Sequence, residues 1–379
     1  MSRLTAVFSA PFVGGSEVFN LEFLTEAKAR GVQITAVLPG HGELETAVRA
    51  LTDDIVVVPI PRSLTDLSRF GSPTVVSQVK AAVALLAYAV RLRRAIRTTQ
   101  GAIVALGLRA QLGVFVTGAA RRRPLAWVVH EIVPAGRFGN LWARASTRAQ
   151  IVLSFSPRAA HQPLLQRANV DLREPRIELA PLLAITAPSP NGPRTIGLVG
   201  DLVPLKNHLG FLRLVEQLRA ERHPELQGLL VGRDVSASND TASYTAQVRE
   251  AVDAARGAVR LTQATAADMP AIYAELDLLV HLSTEPESFG RVIVEALAAG
   301  RPVVAFDRGA VSDLVSPEVG RLVAADDLAS VADAIASILD DADRFVAMSA
   351  AARATAATRW DAAVPGRTVG EALATFSAT

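Results

Sequence analysis

The run Glu285-Pro286-Glu287-Ser288-Phe289-Gly290-Arg291-Val292-Ile293-Val294-Glu295 packs three carboxylates and a glycine turn into eleven positions. A strand is expected to end near His281 and a helix to run from Ser288 to about Gly300. This leaves Glu287 in the loop and puts Glu295 about two turns inside the helix. The backbone amides of Ser288, Phe289, Gly290 and Arg291 then form the helix start, where free N–H groups and the helix dipole both favour a phosphate. Glu295 is flanked by Ile293, Val294, Ala296 and Leu297, so its carboxylate must find hydrogen-bond donors inside a largely buried helix. Sugar hydroxyls are suitable donors. An arginine is another, in which case Glu295 is a structural ion pair and Glu287 only complements the dipole.

Four other places follow predicted strands. Lys206, in Gly200-Asp201-Leu202-Val203-Pro204-Leu205-Lys206-Asn207, is one of three lysines in a chain whose other cations are arginines. It reads as a point-charge phosphate clamp or as a solvated loop charge. Gly14 and Gly15 allow positive φ and close approach of backbone to a ligand, or simply a βα turn. His130, followed by Glu131, ends Trp127-Val128-Val129; with six histidines in the chain a hydrogen-bonded turn residue is the ordinary reading. Arg233, after Val231-Gly232, suits stacking on a nucleotide base. Asp341-Ala342-Asp343 has the spacing of a carboxylate pair that holds a divalent ion, but its place after a helix suits a helix boundary, and no metal is expected.

Short β-branched runs alternating with Ala/Leu-rich amphipathic stretches predict βαβ units and parallel sheets. The first half has candidate strands at Leu4–Phe8, Gln33–Leu38, Ile55–Val58, Ala102–Leu106, Leu125–Val129 and Ile151–Leu153. The second has them at Thr195–Val199, Gln227–Val231, Val259–Leu261, Leu278–His281, Pro302–Ala305 and Arg321–Val323. The fold class expected is α/β, two Rossmann-like doubly wound domains. In such sheets ligands bind beyond the carboxyl ends of the strands, where the candidate residues fall. Ala187–Pro193, with three prolines and a glycine, reads as the hinge, giving domains 1–190 and 191–360, with a last helix over about 361–379 able to pack back on the first.

Composition narrows the classes further. With 379 residues, 50% hydrophobic and 20% charged, the chain is globular and long enough for two cores. Lys plus Arg is 39 against 37 for Asp plus Glu, a net charge of +2, which gives no bulk attraction to nucleic acid. Cysteine is absent, so disulfides and thiolate chemistry are excluded and a reducing, cytoplasmic location fits. The longest apolar stretch, Ala81–Val90, falls far short of the roughly 20 residues of a membrane span. Val75–Arg97 reads as an amphipathic helix with Lys80, Arg91, Arg93, Arg94 and Arg97, suited to a core helix with a basic end or to peripheral contact with an anionic membrane.

Glu287 and Glu295, with seven residues between them, together with Phe289-Gly290, Ala299-Gly300 and Pro302-Val303-Val304-Ala305, resemble the E-x7-E signature of retaining GT-B glycosyltransferases of the family-4 type. The resemblance is dense from Thr195 to Val323 and sparse from Ile55 to Gln100. It implies two Rossmann-like domains facing across a cleft and transfer of a sugar, with retention, from a nucleoside-diphosphate-sugar donor to a glycan, lipid-linked or small-molecule acceptor, without a metal cofactor. Glu287 then approaches the transferred sugar, Glu295 binds the donor ribose, Phe289 and Gly290 amides hold the diphosphate, and His130 lies near the anomeric carbon. Gly14 and Gly15 lie over the diphosphate and the acceptor. Asp201 departs from the family, which usually has Arg there; Arg233 or Arg291 can replace the missing cation. Gly309-Ala310-Val311-Ser312-Asp313 resembles the family's glycine-rich loop with Asp313 where Glu is usual. A sugar epimerase or phosphorylase of the same fold, or an inactive sugar-nucleotide-binding relative, is the alternative.

Overall fold

The computed structural model describes residues 2–52, 54–61, 75–192, 194–234 and 239–378. The chain divides into two compact units, Met1–Pro175 with Gly366–Thr379, and Arg176–Pro365. In the first, seven parallel strands are named β1 (Arg3–Phe8), β2 (Gln33–Leu38), β3 (Ile55–Val57), β4 (Ala102–Leu106), β5 (Leu125–Val129), β6 (Ile151–Ser154) and β7 (Val170–Leu172), in the order 3-2-1-4-5-6-7. The second has six, β8 (Thr195–Val199), β9 (Gln227–Val231), β10 (Val259–Thr262), β11 (Leu278–His281), β12 (Val303–Phe306) and β13 (Gly320–Val323), in the order 10-9-8-11-12-13. Each order reverses once, between β1 and β4 and between β8 and β11, and a ligand crevice opens at such a reversal.

The central strands β4 and β5 are buried along their whole length, as the continuous apolar runs AIVAL and LAWVV require of a sheet covered on both faces. Trp127 on β5 packs on Trp142 with ring centroids 5.7 Å apart. The indole N–H of Trp142 donates to Gln111 Oε1 (2.7 Å), and Gln111 Nε2 donates to the Val128 carbonyl (2.8 Å), so both ends of the Gln111 amide are hydrogen-bonded within the core. In the second unit Ile196, Val280 and Val304 from three strands join Phe211, Phe306 and Phe345 in one cluster.

Every strand expected from the sequence is present to within a residue or so at its ends. β7, three residues with Asp171 at its middle, is the addition. The break between units lies at Pro175–Arg176, earlier than the proline-rich segment, whose Pro193 is outside the described residues. Composition cannot show why, because the connection is held by distant arginines: Arg353 donates to the carbonyls of Leu183 (2.6 Å) and Ile185 (2.5 Å), and Arg301 to that of Thr186 (3.2 Å). The last helix, Val369–Ser377, belongs to the first unit and packs on helix Gly15–Ala29, with the Thr368 hydroxyl donating to Glu26 (2.5 Å).

Candidate functional site

In the second unit the turns after β8 and β11 meet at the reversal of strand order. After β8 the chain makes a single 3-10 turn, Pro204–Lys206, and Asn207 takes a left-handed conformation (φ 58°) while its side chain accepts from Gly210 N (3.2 Å) to cap helix His208–Glu221. Thr284 N donates to the Leu205 carbonyl (2.8 Å), which ties the β11 loop to this turn. Lys206 and Glu287 are thereby brought into an ion pair, and His281 Nε2 lies 3.3 Å from the same Glu287 oxygen. Burial alone would raise the Glu287 carboxyl, but Lys206 first and His281 next override it and hold the group well below the ordinary carboxylate range.

A third segment fixes Glu287 from the other side. Glu287 bridges to Gly309, and Ala310 N donates to the Glu287 carbonyl (2.7 Å). Gly309 has φ 68°, and a Cβ there would run into the Glu287 backbone, so glycine is required for both conformation and space.

The helix after Glu287 is shorter than expected, Arg291–Ala298, and Gly290 (φ 98°) stands before it in the left-handed region. Ser288 and the buried Phe289 therefore sit in the loop, not the helix, and Glu295 is one turn in, not two. Its carboxylate takes Arg291 Nε on one oxygen (2.8 Å) and the Tyr273 hydroxyl on the other (3.0 Å). The donors that its burial demands come first from the chain itself. An ionised carboxylate has about four acceptor positions, which leaves capacity for a ligand hydroxyl.

Arg233 lies at the same edge of the sheet, where β8 and β9 are joined beyond their ends by Leu202 N to the Arg233 carbonyl (2.9 Å). Its guanidinium grips Asp201 through Nε (2.9 Å) and Nη2 (3.2 Å). The two residues that the sequence offered as a missing cation and a spare one are thus a single ion pair.

In the first unit, the residues at the β1/β4 reversal form a separate cluster. Gly14 has φ −103° and Gly15 opens the helix Gly15–Ala29, so neither uses the positive φ expected of them; a Cβ on Gly15 would meet open space. Glu17 closes the helix start, accepting from Gly14 N (3.3 Å) and the Ser16 hydroxyl (2.8 Å), and burial raises its carboxyl. His130 is buried, with Nε2 2.7 Å from Asn20 Oδ1, and burial lowers its pKa to about 3, so the ring is neutral. Glu131 turns away, accepting from Leu108 N (3.4 Å). Asp341, from the set-aside carboxylate pair, caps helix Ala342–Arg359 by accepting from Arg344 N (2.9 Å).

Sequence reasoning missed His281 and Tyr273. His281 carried the same signal as His130, a histidine ending a strand; Tyr273 carried none, since its link to Glu295 joins two helices.

Two doubly wound parallel-sheet domains are the organisation of the GT-B glycosyltransferases, and solved structures of that class match throughout. HepE of Anabaena, crystallised with UDP and glucose, aligns with a TM-score of 0.77 at 20% identity over 100% of both chains. Residues 193–341 match the family model described as glycosyl transferases group 1. The chain is similar to the lipopolysaccharide core biosynthesis mannosyltransferase LpsB of Rhizobium meliloti, 38% identical over 131 residues, covering 34% of this chain and 36% of that protein. It is also similar to a GDP-mannose-dependent monoacylated phosphatidylinositol monomannoside mannosyltransferase of Corynebacterium glutamicum, 28% identical over 172 residues, covering 44% and 43%. These matches span only about two fifths of each curated relative's length.

Proposed function

We propose that the protein is a glycosyltransferase that takes a sugar from a nucleoside-diphosphate-sugar donor, with retention at the anomeric carbon and without a metal. The observation that carries this reading is the Lys206–Glu287 pair at the β8/β11 reversal, inside the stretch that matches the glycosyl transferases group 1 model. Breaking the glycosidic bond builds negative charge on the departing diphosphate, and a fixed ammonium near the amides of the loop that leads into helix Arg291–Ala298 is preorganised to receive it. In this reading Lys206 and the amides of Ser288, Phe289, Gly290 and Arg291 bind the diphosphate, Glu287 orients the sugar, Glu295 takes a ribose hydroxyl and Arg233 flanks the base. The first unit, through Gly14, Gly15 and His130, serves the acceptor side.

The test is a panel of nucleotide sugars, GDP-mannose and UDP-glucose among them, scored by donor consumption and product anomer. EDTA is expected to leave turnover unchanged, and an absolute divalent-metal requirement would sink the metal-free mechanism. Glu295→Ala is expected to weaken nucleoside diphosphate binding by about 1.5–3 kcal/mol, the worth of a hydrogen bond to a charged group. Calorimetry that finds parent-like affinity would remove Glu295 from the donor site.

The relatives' names, lipopolysaccharide core and acylated phosphatidylinositol mannoside, support a glycan or lipid-linked acceptor, and we propose that it is met in the cytoplasm at the inner face of the membrane. No helix among the described residues is long and apolar enough to cross a bilayer. Helix Val75–Thr98 instead has Val83, Leu86 and Val90 exposed at 62%, 59% and 54%, spaced as one stripe that continues into exposed Arg93, Arg94 and Arg97; the Lys80 side chain is outside the described residues. Aliphatic and cationic side chains sharing one face suit an anionic lipid surface. Binding to anionic liposomes is expected at low salt and should fade as salt rises, because screening sets in over about 10 Å at 0.1 M. Changing Arg93 and Arg94 to Glu should abolish it; flotation without binding at low salt would eliminate the contact.

A further inference from the structure

His281 ends β11 almost fully buried, and its Nε2 faces the Glu287 oxygen that Lys206 already holds. Neither ring nitrogen has a hydrogen-bond partner among the described residues, and in the ligand-free site Lys206 is the closer cation on Glu287. One carboxylate is thus shared by two cationic candidates, and only Lys206 is needed to neutralise it.

An incoming diphosphate changes that balance, because its charge competes with Glu287 for the Lys206 ammonium. A carboxylate left in a buried pocket without its cation is costly and is relieved by gaining a proton nearby. We propose, on the nucleotide-sugar reading above, that His281 is a positioning residue which takes over Glu287 when Lys206 turns to the diphosphate, binding a proton as the donor binds. Glu287 then keeps its place for the sugar while Lys206 is released for the leaving group.

The other charged groups around the ring are committed elsewhere. At the end of β8, Asp201 is held by Arg233. Beyond β12, next to Asp307, Arg308 donates to the Thr284 carbonyl (2.8 Å) and pairs with Asp326. On the following helix Arg291 pairs with Glu295. Among these groups His281 is the one in reach of Glu287 whose ring can gain or lose a proton.

The experiment is titration calorimetry of UDP and GDP into the full chain in buffers of different protonation enthalpy near neutral pH. The parent is expected to take up protons on binding, with affinity falling by up to about tenfold for each unit that pH rises. His281→Gln and His281→Asn should lose the uptake; the phosphate's own protonation is common to all three proteins and cancels. Uptake that persists in both variants would put the proton on Glu287 and overturn the role of His281. Binding with no uptake by the parent would overturn it as well, leaving the donor site intact. Failure of both nucleotides to bind the parent would instead sink the donor reading and this coupling with it.

Discussion

Lys206→Ala is expected to lower turnover by about 10²–10³-fold, about 2.7–4 kcal/mol in activation free energy, the usual cost of removing one preorganised charge partner from a transition state. Ground-state affinity for the donor should fall much less, because charge on the departing diphosphate grows as the bond breaks and the ammonium is worth most at that point. The ion pair with Glu287 adds a second signature. Lys206 holds the Glu287 carboxyl below its ordinary range, so the stability this brings is present above the unfolded carboxylate value and is lost as pH falls through the folded one. Without Lys206, the burial of Glu287 works the other way and is opposed by His281 alone. The stability gap between parent and variant should therefore be open at pH 7 and narrow on acidification. Steady-state kinetics and thermal melts over pH check both; turnover within tenfold of the parent in a folded variant would remove Lys206 from the chemistry.

The strands and the loops that carry the site were legible because both signals are local. Runs such as Ala102–Leu106 and Leu125–Val129 are apolar at every position, which only a strand covered on both faces requires, and each candidate residue follows one of them. Glu287 and Lys206 were readable one at a time, as a carboxylate and a lone lysine after two strands. Their meeting was not readable, because it depends on β8 and β11 being neighbours although 78 residues lie between Val199 and Leu278. The same holds for Asp201 and Arg233, two departures from expectation that are explained by each other once β8 and β9 are paired. Glu295 carries a caution. Its apolar neighbours correctly implied that it needs donors, but Arg291 is four residues before it and Tyr273 lies across a helix contact, so the chain supplies what a ligand was expected to supply. Element ends were least legible: Gly290 in a left-handed conformation delays the helix to Arg291, and a glycine that continues a pattern cannot be told by sequence from one that interrupts it.

Gly309→Ala is expected to be the most damaging small substitution near the site. At φ 68° an L-residue is strained by about 1–3 kcal/mol, and its Cβ would be driven into the backbone of Glu287, an overpacking cost of about 1–3 kcal/mol more. The total, about 2–6 kcal/mol, can be reduced only by moving the Glu287 loop away from the 309–313 turn, which breaks the bond from Ala310 N to the Glu287 carbonyl. A loop so displaced no longer delivers Glu287 to Lys206 and His281, so loss of turnover should accompany loss of stability. Gly257→Ala is the control, since it has a similar φ of 83° and open space around its would-be Cβ, and so isolates strain from collision. It should lose stability by the strain alone and keep its turnover. Chemical denaturation and steady-state kinetics on the two variants separate the outcomes: if Gly309→Ala keeps parent turnover while folded, the turn does not position Glu287, and the carboxylate is held by Lys206 and His281 alone.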